Sequence, residues 1–333
     1  MNLKERINGF SELAKTLDDS NAELSEIIRK TEAQNPWFTE FHCRLMVKNF
    51  REKFFNPEKL HSWLKKYGEL PEKNKTIGLV LAGNIPFVGM HDMLCVIMSG
   101  NRAMVKLSAK DDLFFPWVYQ QLLKTDKAFE NKITFVERLE GFDAVIATGS
   151  NNSARYFEYY FGKYPNIIRK NRTSISILKG DETDEEIYAL GKDVFYFYGL
   201  GCRNVSKIYF PEVFDREKLF RVWEDFRYVS ENTKYHNNYD YNRAILLLNQ
   251  TPFLTNDFFM LQETDKLFSP ISVLFCETYS SQNDLNTKIS ELGENIQCVV
   301  AKADDNTQFG STQFPELNDY ADNIDTMEFL KSL

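Results

Sequence analysis

Hydrophobic positions in the first 67 residues follow a helical rhythm. Leu13, Leu17, Leu24, Ile27 and Ile28 recur at helical steps on a charged background, the pattern of amphipathic helices. WFTEFHCRLMVKNFREKF continues the rhythm, Asn56-Pro57 breaks it, and EKLHSWLKKYG resumes it. The polar stretch from Glu69 to Lys75, ELPEKNK, contains a proline and reads as a linker.

Beyond the linker the texture changes. TIGLVLAGN is a short apolar run ending in glycine, as buried parallel strands do. MHDMLCVIMSG predicts a helix, RAMVKLSA a strand, and DDLFFPWVYQQLLK a helix with acids in its first turn. ITFVERL and DAVIATGS predict strands, NSARYFEYYFGKY a helix, SISILKG a strand and DEEIYALGKDVFYFYG a helix. After Cys202, SKIYFP predicts a strand and FDREKLFRVWEDFRYVSE a helix. NRAILLLN and SPISVLFCETY predict strands, NDLNTKISELGE a helix and IQCVVAK a strand. Tyr235, His236, Tyr239 and Tyr241 read as a polar aromatic loop. Strands alternating with helices of this length predict an α/β chain with mainly parallel sheets. Its 333 residues allow one large domain or two medium ones.

Composition narrows the function classes. A net charge of −8 with no basic cluster argues against nucleic-acid binding. There is no apolar run of about eighteen residues, so no membrane span is predicted. The opening MNLKERINGFSELAK has no apolar signal-peptide core. Five scattered cysteines, an odd number, argue against a disulfide framework and for a reducing, cytoplasmic setting. None forms CxxC and the histidines are dispersed, so no metal site is predicted. The 28 Phe and 16 Tyr suit a Phe-rich core first and an apolar ligand second.

Several chemistries lack their signatures. The chain has no GxxxxGKS/T phosphate loop, no GxGxxG after the first strand and no GxSxG elbow. What remains is a set of polar residues near strand ends: Asn84, Lys106, Ser108, Gly149, Ser150 and Cys202. Ligands bind beyond the carboxyl ends of strands in open α/β sheets. Cys202 is either a small buried hydrophobe or a nucleophile. Gly199 and Gly201 give it a sharp, open turn, and Arg203 and Lys207 would favour its thiolate. Asn84 is either a turn residue bonding its own backbone or an oxyanion donor. Lys106 either snorkels to solvent or binds a ribose or phosphate. His91 and Asp92 are a locally satisfied pair or a proton-donor pair, with the first reading favoured. Cys95, Cys276 and Cys298 read as core.

Taken in order, these residues resemble the aldehyde dehydrogenase superfamily. LAGNIPFVGMHDMLCVIMSGNRAMVKLSAKD resembles its strand, Asn-x-Pro, helix, strand, Lys segment. VIATGSNNSARYF resembles its cofactor Gly-Ser turn, YGLGCRNVSKIYFP its catalytic-cysteine segment, and DKLFSPISVLF its Glu-x-Phe-Gly-Pro segment. The resemblance implies two Rossmann-like parallel-sheet domains with an N-terminal helical segment. Residues 1–70 would be that segment. Residues 75–192, joined by a tail from about 303 to 333, would bind nicotinamide cofactor, and 193–302 would carry the catalytic cysteine. It further implies Cys202 as nucleophile and Asn84 as oxyanion donor. Lys106 would contact the adenosine ribose, Ser108 would also bind the cofactor, Gly149 and Ser150 would lie at the pyrophosphate, and Phe268 near the nicotinamide ribose.

The departures are specific. The stretch matching the family's Glu-Leu-Gly-Gly, which supplies the hydrolytic base, is IIRKN, without a carboxylate. Lys266 takes the glutamate position before Phe268, and the chain is shorter than a typical member. With GNIPFVGMHD, FYGLGCRNVSK and LNDYADNIDTMEFL, the chain most resembles the fatty acyl-CoA reductase branch. That implies reduction of a long-chain acyl-CoA thioester to aldehyde through an acyl-cysteine, with NADPH, or alternatively NADH, as cofactor. It also leaves room for a homo-oligomer or for partner acyl-transfer proteins. Reduction of an acyl phosphate and an inactive cofactor-binding scaffold are the alternatives.

Overall fold

The structure is a computed structural model describing residues 1–73, 75–302 and 306–333. Asn74, in the expected linker, and Ala303, Asp304 and Asp305, at the start of the expected tail, lie outside the described residues. The chain divides into two compact units, residues 1–171 with 316–333, and residues 172–315.

The first unit opens with four helices: α1 (Leu3–Thr16), α2 (Ala22–Gln34), α3 (Glu40–Asn49) and α4 (Pro57–Lys65). Each starts where the sequence supplies a cap. Asn2 and Glu5 form a reciprocal capping box, and the side chains of Asn21, Thr39 and Asn56 cap the other three. The strands and helices that follow are β1 (Thr76–Val80), α5 (Met90–Met98), β2 (Arg102–Lys106), α6 (Phe114–Thr125) and β3 (Ile133–Phe135). Then come β4 (Ala144–Thr148), α7 (Asn151–Phe161) and β5 (Asn166–Arg169). They build a parallel sheet in the order β3-β2-β1-β4-β5. The strands to either side of β1 are reached by opposite-going crossovers, the doubly wound arrangement. The terminal helix α12 (Thr326–Ser332) packs in this unit through buried Met327 and Leu330.

The second unit contains β6 (Thr173–Ile177), α8 (Asp184–Phe195), β7 (Val205–Pro211), α9 (Glu217–Val222) and α10 (Thr233–Leu248). It continues with β8 (Leu254–Thr255), β9 (Met260–Glu263), β10 (Val273–Tyr279), α11 (Gln282–Leu292) and β11 (Ile296–Ala301). The sheet order is β11-β6-β7-β10-β9-β8, parallel except for the β8–β9 pair. Strand β6 and helix α8, grouped by expectation with residues 75–192, thus belong to the second sheet. Among the described residues no helix is long and apolar enough to cross a membrane.

Three sequence expectations are corrected here. NRAILLLN is not a strand, and Tyr235, His236, Tyr239 and Tyr241 are not in a loop: all lie on α10. Asn232 caps this helix, and Tyr235, Tyr239, Asn242 and Leu246 fall along its inner face. Ile245, Leu247 and Leu248 are exposed, so the apolar run spans both faces and hides the helical period. The acids of DDLFF also do not open α6, which begins at Phe114. Asp111 is buried instead and accepts from the Phe87 N–H at 2.7 Å.

Candidate active site

In the first unit the candidate residues follow the carboxyl ends of β1, β2 and β4. Asn84 is exposed in the loop after β1. This loop lies against the loop after β2: a Cβ built on Gly83 would come within 2.3 Å of Ser108 Oγ. Only glycine permits that approach. Two residues past Ile85, Phe87 has a left-handed backbone (φ 59°), held by stacking on Phe114 at 3.7 Å and by the bond to Asp111. Lys106 ends β2, is exposed, and donates to the Glu137 carbonyl at 2.6 Å. Ser108 Oγ accepts from the Lys110 N–H at 3.3 Å, which tightens the turn carrying Ala109 and Lys110.

Gly149 and Ser150 follow β4. Ser150 caps α7 by accepting from the Ser153 N–H at 3.2 Å. A Cβ on Gly149 would lie 2.8 Å from that of Ser153 and 2.9 Å from Phe157 Cε2. No acid occupies the first turn of α7, so its positive end is not neutralised by the helix itself.

His91 and Asp92 lie at the start of α5 and are accounted for locally. Asp92 is buried in an ion pair with Arg169 at the end of β5, and Arg169 also donates to Thr326 Oγ1 at 3.0 Å. The His91 ring stacks on Tyr320 at 5.2 Å and meets Phe54 edge-on at 4.9 Å. The IIRKN stretch is therefore a strand end whose charge closes an internal pair.

In the second unit, Cys202 stands at the second position of a tight turn from Gly201 to Asn204, closed by Asn204 N–H to Gly201 carbonyl at 3.1 Å. The approach to it is unusual. Phe197, Tyr198 and Gly199 all have left-handed φ, at 53°, 58° and 78°. Such a run costs free energy for the two aromatic residues and persists only where packing enforces it. Here both are buried, and the Gly199 backbone lies against the Asn204 side chain. Cys202 itself is half-buried, whereas Cys43, Cys95, Cys276 and Cys298 are buried. Burial pushes the Cys43 and Cys95 thiols well up and that of Cys276 up to about 12, which makes all three inert.

Both positive charges expected to serve Cys202 have other partners. Lys207 is fully buried, paired with Glu277 and donating to the Asp265 carbonyl at 2.9 Å. Arg203 donates to Cys298 Sγ at 3.3 Å. Phe268 is 45 % exposed in the loop before β10. This loop is anchored where Ser206 Oγ donates to the Leu267 carbonyl at 2.9 Å. A small, partly open cavity of about 30 Å³ is lined by Tyr198, Gly199, Asn204, Tyr235 and residues 269–274. The polar aromatics of α10 thus contribute Tyr235 beside the cysteine turn. Sequence reasoning missed the hydroxyls beneath that turn, Thr173, Ser174 and Ser206. Their signal was polar residues in strands otherwise made of buried apolar ones. Among the described residues no cluster of three or more His, Cys, Asp or Glu is arranged to hold a metal ion.

This architecture is that of the aldehyde dehydrogenases. The chain is similar to aldehyde dehydrogenase 21 from Physcomitrella patens, solved with succinate, at 15 % identity and a TM-score of 0.67 over 92 % of this chain and 74 % of that one. It is similar to the glyceraldehyde-3-phosphate dehydrogenase GapN from Methanocaldococcus jannaschii, solved with NADP, at 14 % identity and 0.67 over 92 % and 77 %. An NAD+ complex of an aldehyde dehydrogenase from Bacillus cereus gives 14 % and 0.65 over 92 % and 72 %. No curated protein sequence matches the chain. Residues 12–212 match the family described as acyl-CoA reductase (LuxC), and the chain belongs to that family of aldehyde-related oxidoreductases. The matched span holds Asn84, Lys106, Ser108, Gly149, Ser150 and Cys202, while Phe268 lies beyond it.

Proposed function

We propose that the protein reduces a long-chain acyl-CoA to its aldehyde, with Cys202 as the nucleophile. The observation that carries this reading is the Cys202 turn: the half-buried thiol at the corner of a strained, glycine-bounded turn, in a chain whose other cysteines are buried. The Cys202 thiolate attacks the thioester carbonyl carbon, and the carbonyl π electrons move onto oxygen. The Cys202 N–H donates to that oxyanion, and the family resemblance gives the Asn84 amide the same part. Collapse breaks the bond to the CoA sulphur, which leaves as thiolate and takes a proton, so that the acyl group rests on Cys202. A bound reduced nicotinamide would supply two electrons as hydride for reduction of the acyl-Cys202. The resulting hemithioacetal oxyanion is held by the same donors until the C–S bond breaks, which frees aldehyde and restores the Cys202 thiolate. The balance is acyl-CoA plus reduced cofactor plus a proton, giving aldehyde, CoA and oxidised cofactor.

The absent hydrolytic base supports reduction over hydrolysis, because Arg169 in the IIRKN stretch is sealed against Asp92 and offers no carboxylate to activate water. The first unit fits a dinucleotide. Its strand-end loops are glycine-lined where side chains would collide, and α7 presents an unneutralised N-terminus behind Ser150. Lys106 and Ser108 would hold the adenosine ribose, Gly149 and Ser150 the pyrophosphate, and Phe268 would cover the nicotinamide ribose. NADPH is favoured over NADH by Ala109 and Lys110, both exposed. Of the nearby acids, Asp111 is buried, with its carboxyl pushed up to about 7, and Asp112 accepts from Gln34 at 3.0 Å.

The test is incubation with acyl-CoA labelled in the acyl group. A labelled protein adduct, lost in Cys202→Ala and discharged as aldehyde by NADPH, supports the reading. An adduct formed from acyl phosphate but not acyl-CoA transfers the activity to the acyl-phosphate reaction. No adduct with any activated acyl donor leaves a cofactor-binding scaffold.

A further inference from the structure

Buried parallel strands are usually apolar, yet β6 and β7 open with hydroxyls. Thr173, Ser174 and Ser206 are exposed by only 5 %, 0 % and 4 %. An unbonded buried hydroxyl costs free energy, so the destination of each bond is informative. Ser174 Oγ accepts from the Cys298 N–H at 3.1 Å and donates to the Cys202 carbonyl at 3.2 Å. The Ser174 N–H donates to the Asn204 carbonyl at 2.9 Å, so one residue grips the cysteine turn twice. Thr173 Oγ1 lies 3.1 Å from that same Asn204 carbonyl and 2.8 Å from Ser206 Oγ, which donates to Leu267 beside Phe268. Every bond of this cluster that leaves the strand starts ends on the Cys202 turn, on β11 or on the Phe268 loop. Ser176, farther along β6 and equally buried, has an Oγ with no hydrogen-bond partner among the described residues.

We propose that Ser174 is the positioning residue of the Cys202 turn, with Thr173 and Ser206 extending the same support to the Phe268 loop. The proposal rests on Cys202 being the nucleophile. Holding the Cys202 carbonyl fixes the peptide plane after the cysteine. That plane and the Asn204–Gly201 bond together set where the Cys202 thiol and N–H point. Ser174 touches no reacting atom and acts through the geometry of its neighbour.

The experiment compares wild type, Ser174→Ala, Ser174→Thr and Ser176→Ala as full chains. The rate of iodoacetamide alkylation at the Cys202 peptide is followed against pH, alongside kcat and KM for acyl-CoA reduction. In Ser174→Ala, kcat is expected to fall about ten-fold, the scale of one net hydrogen bond, with KM little changed. Its Cys202 alkylation profile should also shift in midpoint or plateau. Ser174→Thr should restore both, and Ser176→Ala should match wild type. Equal behaviour of the two alanine variants, or a wild-type profile in Ser174→Ala, overturns the proposal. Ser174→Cys, which keeps the size but weakens the donor, gives the same decision if the alanine variant fails to fold. Alkylation needs neither acyl-CoA nor cofactor. A failure of the reductase reading therefore appears as no turnover in wild type, with the alkylation comparison still deciding the role of Ser174.

Discussion

The two sheets present their candidate residues at opposite edges. In the first unit, Asn84, Lys106 with Ser108, and Gly149 with Ser150 follow the carboxyl ends of β1, β2 and β4. In the second, Cys202 precedes β7 and Phe268 precedes β10, on the amino-terminal side of parallel strands. The supports differ as well. The first edge is shaped by glycine contacts and by Phe87 stacked on Phe114. The second is held by hydroxyls reaching from the starts of β6 and β7. An edge that binds a large, rigid cofactor needs room and a bare backbone. An edge that aims one sulphur atom needs directional bonds, because a small angular error misplaces a nucleophile.

The comparison can be broken at either edge. The largest effect is expected at the second: Cys202→Ala should lower turnover by about 10⁴-fold or more and abolish the labelled adduct. Survival of the adduct in that variant would move the nucleophile elsewhere. Asn84→Ala should cost about 10²–10³ in kcat, as removal of an oxyanion donor does, with cofactor binding retained in a fluorescence titration. Loss of cofactor binding with normal turnover at saturation would make Asn84 part of the dinucleotide wall instead. A smaller effect is expected at the first edge. Ala109→Glu places a carboxylate where a 2′-phosphate would sit and where a ribose hydroxyl would be accepted. Its kcat/KM for NADPH should fall about ten-fold, a change near 1.4 kcal/mol, while that for NADH holds or rises. Equal losses with both cofactors would remove residue 109 from cofactor choice.

Much of this was legible in the chain. The strand–helix alternation, the strand-end residues of the first unit and the singularity of Cys202 all rest on local signals: apolar runs, glycines and turn chemistry. The failures are long-range. Lys207 reads as a positive charge that would favour the cysteine thiolate, but its partner Glu277 arrives on β10, which pairs with β7 only in the folded sheet. The short strand β5 was invisible because its last residue, Arg169, makes sense only beside Asp92 and Thr326, each distant in sequence. Helix α10 was misread because exposed Ile245, Leu247 and Leu248 fill its outer face and blur its period. Ser174 reads as an ordinary strand residue, and only the fold brings its hydroxyl to the Cys202 carbonyl.

The smallest expected effect contrasts one buried carboxylate from each unit. In the first, Asp111 accepts from the Phe87 N–H, while its Oδ1 has no hydrogen-bond partner among the described residues. Desolvation pushes its carboxyl up to about 7, well above the ordinary carboxylate range. In the second, Asp193 accepts from the Gly310 N–H at 2.6 Å and from the Thr312 N–H and Oγ1 at 3.0 and 2.8 Å. Burial raises its pKa as well, but those three donors hold it to about 6. A carboxyl whose native pKa lies above its unfolded value binds more protons in the native state between the two. Each group therefore lowers stability as pH rises through its window, from near 4 to about 7 for Asp111 and to about 6 for Asp193. Asp111→Asn keeps an acceptor for Phe87 and removes a charge with little compensation. It should stabilise the protein at about pH 8 by roughly 1–3 kcal/mol and by less at about pH 5. Asp193→Asn turns one acceptor oxygen into a donor facing donors, so it should destabilise at both pH values. Thermal melts of the two variants at both pH values decide the matter. Shifts of the same sign at the higher pH would mean that the two carboxylates are held alike, and the contrast between the two units would fail at its buried charges.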